Sequence, residues 1–150
     1  MKNIVLFASL TDDSLSSLKR LKESSFFSQD CTIHLVHCFE IQTYTAEFSA
    51  YTYPTTAQYP EFEEGARNVL KVLEKNLSEK FNHLKFQTSI LFSTDPKHKL
   101  TDYLKENKAD LAIIATRGKH GIEGLFSSSF ADHLIRYSSC DVHVLRPKES

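Results

Sequence analysis

Glycine is scarce in this chain, with four in 150 residues, yet Gly118, Gly121 and Gly124 fall close together. They lie between an apolar run, Leu111 to Ala115, and a serine-rich segment holding Ser128 and Ser129. Glycine permits positive φ and lets a ligand approach the backbone closely. A helix N-terminus offers free N–H groups and a partial positive charge. A strand, a glycine loop and a helix start therefore make a cradle for phosphate. Arg117, Lys119 and His120 add positive charge beside it. The same glycines also suit a plain flexible connection, since loose glycine spacing is a weak signal.

Other chemistry-bearing residues favour structural roles. His34 and His37 lie three apart on a strand-like run, so they point to opposite faces and cannot share a metal. His98 lies near the carboxyl end of the third apolar run, within reach of a ligand, but a charged helix face is usually only solvated. Asp12 and Asp13 read as a helix cap with first-turn charge rather than as paired catalytic carboxylates. No nucleophile–base pair is legible. Cys38 reads as a small buried filler. The odd, sparse set Cys31, Cys38 and Cys140 argues against a disulfide framework and for a reducing, cytoplasmic compartment.

The elements that position these residues alternate regularly. Ile4 to Ala8 is a continuous apolar run, as in a strand covered on both faces. Thr11 or Asp12 can cap a helix carrying Leu15, Leu18 and Leu21. Thr32 to Phe39 reads as a second strand. Residues 41 to 60, with Tyr44, Phe48, Tyr51, Tyr53, Tyr59, Pro54 and Pro60, read as a long aromatic surface loop, of the kind that is functional or mobile. Phe62, Ala66, Val69, Leu70, Leu73, Leu77 and Phe81 recur at helical spacing. Phe86 to Phe92 is a third strand. Asp95-Pro96 opens a helix with Leu100, Tyr103 and Leu104 inside. Leu111 to Ala115 is a fourth strand. Ser128 or Ser129 caps a helix with Phe130, Leu134 and Ile135, and Asp141 to Leu145 closes as a fifth strand. This order predicts a single-domain α/β fold, with helices on both faces of a doubly wound, mostly parallel sheet. Such sheets bind ligands at the carboxyl ends of their strands, where the strand order switches.

Composition narrows the function classes. With 41% apolar and 25% charged residues and a net charge of -1, the chain has neither the basic footprint of a nucleic-acid binder nor the bias of a disordered tail. No apolar run approaches the roughly 20 residues of a membrane span. The start, Met1-Lys2-Asn3 and then Ile4 to Leu10, reads as a strand feeding a helix rather than a leader.

The run "DLAIIATRGKHGIEGLFSSSFADHLIRYSSCDVHVLRP", Asp110 to Pro147, resembles the C-terminal signature of the universal stress protein family. The first-strand start, "HLVHC" (His34 to Cys38) and Asp95-Pro96 fall where that family places its elements. The resemblance implies a Rossmann-like, adenine nucleotide alpha hydrolase-like, five-stranded sheet in the order 3-2-1-4-5. With that order, a bridge between Cys31 and Cys140 is not expected. The last strand lies at an edge, where the family commonly pairs two copies into a homodimer.

The family's ATP binders carry Gly, two residues, Gly, nine residues, then Gly and Ser or Thr. Those positions are Ala115, Gly118, Ser128 and Ser129 here. The resemblance places backbone contacts at Phe130 and Ala131, an apolar contact at Cys38, and the base near Phe7, Ser9 and Cys38, with Ile114 also in the binding set. Binders carry an Asp where this chain has Ser9, so a charge-assisted bond worth roughly 1.5–3 kcal/mol is missing. Ala115 adds a methyl, and Ser128 is disfavoured if its backbone needs positive φ. The family also holds members that bind no ATP and that depart from the same motif. The resemblance thus implies weak binding of ATP or AMP, with magnesium accompanying ATP, and no efficient hydrolysis. The alternative is a dimeric adaptor that binds no nucleotide and acts through an unknown protein partner.

Overall fold

The computed structural model describes residues 2–10, 12–21, 27, 30–41, 56–115 and 124–146, with the backbone alone at 12, 13, 56 and 124–129. The elements run β1 (Lys2–Phe7), α1 (Asp12–Lys19), β2 (Cys31–Glu40), a 3₁₀ turn (Thr56–Gln58), α2 (Tyr59–Lys80), β3 (Lys85–Ser93), α3 (Pro96–Glu106), β4 (Leu111–Ala115), α4 (Gly124–Tyr137) and β5 (Asp141–Leu145). All strand pairs are parallel, as the alternation predicts, and the order is β3-β2-β1-β4-β5, as the family resemblance implies.

The continuous apolar runs form two cores because strand side chains alternate faces. Ile4, Leu6, Ile33, Leu35 and Ile113 pack with Leu18 of α1 and with Leu70, Leu73 and Leu77 of α2. Val5, Phe7, Val36, Ala112 and Ile114 pack on the other face with Leu100, Tyr103 and Leu104 of α3 and Phe130, Ala131 and Leu134 of α4. His34 and His37 take opposite faces, as their spacing requires. His34 is buried against Tyr103, with Nδ1 3.0 Å from the phenol oxygen and Nε2 3.2 Å from Asn3 Oδ1. Ser89 Oγ lies 3.1 Å from the same phenol oxygen.

Several boundaries differ from the sequence reading. β1, β2 and β3 begin at Lys2, Cys31 and Lys85, because a hydrogen-bonded ladder extends beyond the apolar run. α1 ends at Lys19, and Leu21 is buried just beyond it. α2 begins at Tyr59, shortening the expected loop; Pro60 occupies its first turn, where its fixed φ suits a helix. The rest of that loop, residues 42–55, lies outside the described residues. α4 begins at Gly124, four residues before the nearer expected serine cap. Phe126, Phe130 and Leu134 form an unbroken i,i+4 series, and the helix follows that series rather than the serines.

Candidate functional site

The sheet changes direction between β1 and β4. β1 leads through α1 to β2 on one side, while β4 leads through α4 to β5 on the other. The β1–β4 ladder ends at Phe7 with Ile114. Beyond it the chain leaving β1 stays tied to β2. The Ala8 amide donates to the Val36 carbonyl at 2.9 Å. The Ala8 carbonyl lies 2.7 Å from His37 Nδ1, which must therefore carry a proton to donate. The β1–β4 ladder stops here, at the switch point where such sheets hold ligands, and this is the candidate crevice.

Its floor is apolar. Phe7, Ile114, Phe130 and Ala131 share one buried cluster, with Cys38 and Leu91 packed at its margin. The Phe7 and Phe130 rings meet edge to face, with centroids 6.2 Å apart. Phe7 is only 4% exposed, so its ring underlies the crevice and offers no free face to a base. Ala115 is buried at the end of β4 but belongs to the opposite core, with α1 and α2. Ser9 is half-buried just past β1.

Cys38 is half-buried rather than fully buried. Burial pushes its thiol up to about 12, against a smaller downward pull from the Lys99 ammonium and an upward push from Glu40. A thiol held protonated at neutral pH serves as an apolar wall, not a nucleophile. Burial also lowers the pKa of His37, and its bond to Ala8 offsets this in part. That bond commits the imidazole to holding the crevice edge. Among the described residues, no cluster of His, Cys, Asp or Glu is placed to hold a metal ion.

The remaining expected residues separate. Ser128 and Ser129 lie within the second turn of α4, where backbone N–H groups bond along the helix. The amides without a helical partner are those of its first turn, from Gly124. Gly118, with the glycine-loop cations Arg117, Lys119 and His120, lies outside the described residues. His98 is exposed and stands 3.5 Å from Asp102, one turn along α3. Cys31, Cys38 and Cys140 form no disulfide.

Two contributors lie outside the sequence-derived set. Val36 is the β2 partner of Phe7 and anchors Ala8. Lys99, on α3, bears on the Cys38 thiol through its charge. Its signal was present, since Asp95-Pro96 starts α3 beside the carboxyl end of β3, and the Asp95 carboxylate accepts from the His98 amide at 3.2 Å.

The model of the universal stress protein family matches residues 1–146. A universal stress protein of Methanocaldococcus jannaschii is 32% identical over 88 residues, 58% of this chain and 49% of that protein. The match thus spans about half the length of that curated relative. A universal stress protein solved in complex with cAMP aligns over 98% of each chain, with a TM-score of 0.64 and 16% identity. An Arabidopsis thaliana family member solved with AMP bound aligns over 99% of this chain and 93% of its own, with a TM-score of 0.60 and 14% identity. The structures share the fold, and the family model covers nearly every residue from β1 through β5. On that coverage, the chain belongs to the universal stress protein family.

Proposed function

We propose that this chain is a stress-response protein whose β1–β4 crevice binds an adenine nucleotide, ATP or AMP, weakly. The observation that carries this reading is the end of the β1–β4 ladder at Phe7 and Ile114, at the switch point of the strand order and beside the apolar cluster that holds Phe130 and Ala131. Two relatives of the same fold are described with cAMP and AMP. In this reading the base lies toward Ser9 and Cys38, and the phosphates lie toward Gly118 and the start of α4. The helix dipole favours anions there. Weakness follows from Ser9, which brings no charge to the ribose end, and from Ser128 and Ser129, whose amides the helix itself engages. Magnesium would accompany ATP through the nucleotide's own phosphates. Three cysteines with no disulfide among them favour a cytoplasmic setting.

Thermal melting with AMP, ATP and ATP–magnesium tests this. A ligand at a hundred times its dissociation constant stabilises the folded state by about 2.7 kcal/mol. A melting shift at millimolar nucleotide that Gly118→Asp abolishes supports the assignment. No shift at millimolar nucleotide rejects it in favour of the second reading, a dimeric adaptor joined through Asp141–Leu145. That reading is favoured by the position of β5, which bonds to β4 on one side and forms an edge of the sheet.

A further inference from the structure

The opposite edge of the sheet is β3, nine residues that pair only with β2. From Phe86 to Ser93 its sequence, FQTSILFS, contains no charge, proline or glycine. Edge strands normally carry such residues to prevent pairing with another chain. The direction of its backbone groups can be read from two contacts. The Ser93 carbonyl accepts from the Ile41 amide at 2.9 Å, so it points toward β2. The Thr88 carbonyl accepts from Arg67 Nη1 at 3.5 Å, so it points away. Backbone polarity alternates along a strand. Phe86, Thr88, Ile90 and Phe92 therefore present their N–H and C=O groups outward. Among the described residues, Arg67 alone reaches this outer row, at the limit of hydrogen-bond distance, while its guanidinium also holds Glu63 at 2.9 Å.

We propose that the β3 edge is a self-association surface, on which a second copy of this chain adds its own β3 antiparallel about a two-fold axis at Ser89. The occupant follows from the self-complementarity of the strand. With Ser89 on the axis, Phe86 lies opposite the partner's Phe92, and Thr88 lies opposite the partner's Ile90. These are the outward-directed residues on both copies, so their backbone groups meet as hydrogen-bonded pairs. Phe86 and Ile90 lie on the face that packs against the α1–α2 core, so on that face Phe86 meets the partner's Phe92 and the Ile90 side chain meets the methyl-bearing side chain of the partner's Thr88. Lys85 falls opposite an uncharged Ser93, and no like charges face each other along the strand. Two-fold symmetry makes the contact isologous and closed. The surface is separate from the nucleotide crevice and from β5.

The test uses the full chain. Sedimentation over a range of concentrations is expected to show a rise in mass that Thr88→Pro abolishes. Proline at this position removes only an outward amide and leaves the ladder to β2 intact. Circular dichroism and melting confirm that the variant is folded. Ser89→Cys probes the register independently. A non-hydrogen-bonded antiparallel pair has Cα atoms about 4.5 Å apart, within disulfide reach. Mild oxidation of Ser89→Cys is expected to give a covalent dimer, while Gln87→Cys, about 13 Å from its own copy in this register, gives no more than the parent chain. An unchanged mass in Thr88→Pro, or equal cross-linking of the two cysteine variants, overturns the proposal.

Discussion

Tyr103 holds together a buried polar chain running from Asn3 through His34 to Ser89. With Nε2 donating to Asn3 Oδ1, Nδ1 accepts from the phenol, and the phenol accepts from Ser89. Tyr103→Phe leaves a buried imidazole nitrogen and a hydroxyl short of a partner. Its expected cost is about 1–3 kcal/mol, read as a lower urea midpoint. The same chain shapes the pH response. Burial depresses the pKa of His34, and burial does the same to His37. The folded chain therefore keeps both neutral at pH values where the unfolded chain takes up protons. Their contribution is fully present above about pH 6.5 and is lost as the pH falls below it. Urea midpoints between pH 8 and pH 5 should show that decline, with a shallower slope in His34→Gln. Strand alternation made the opposite orientations of the two histidines legible from sequence. Tyr103 as a partner was not, because Tyr103 sits 69 residues from His34 and meets it only once α3 crosses the sheet.

At the scale of elements, α3 shows how local chemistry sets a boundary. The Asp95 side chain caps its first turn, as Asp95-Pro96 promised. Asp95→Ala should cost about 0.5–2 kcal/mol, measured by thermal or urea unfolding. Its other end carries a misfit. Lys108, just past the C-cap Asn107, takes a φ of 48°, in the left-handed region where glycine is favoured. Lys108→Gly is expected to raise stability by up to about 1 kcal/mol, the relief of strain outweighing the added chain entropy. Apolar periodicity alone placed the α2 and α3 cores, because Ala66, Leu70, Leu73 and Leu77, like Leu100 and Leu104, repeat at helical spacing and are all buried. It misplaced the α4 start for a physical reason. Serine is a good cap in isolation, but the helical spacing of Phe126, Phe130 and Leu134 in the sequence runs on upstream of it. The candidate crevice was legible in its apolar floor, where β1 and β4 end, and in the Asp95-Pro96 start of the helix that carries Lys99, but not in Val36. Val36 matters through register, which single-residue patterns do not encode.

At the scale of the molecule, the five strands are unequal. β1 pairs with β2 only as far as Phe7 with Val36, whereas the β2–β3 ladder continues to Glu40 with Ser93. The last turn of that ribbon stands beyond the rest of the sheet. It is held from one side by rings: Phe39 stacks on Phe92 at 5.2 Å, Tyr59 stacks on Phe92 at 4.4 Å, and Phe62, 37% exposed, leans edge-on against Phe39. A projection that rests on a few aromatic contacts, rather than on a neighbour at each flank, can open without the body of the protein following. Deuterium uptake followed residue by residue should therefore divide β2 in two. Amides near Leu35 would exchange only on global unfolding, and those near Phe39 would exchange through a cheaper, partial event that Phe92→Ala makes cheaper still. The tip of this parallel two-strand tongue would then breathe while its root stays shut.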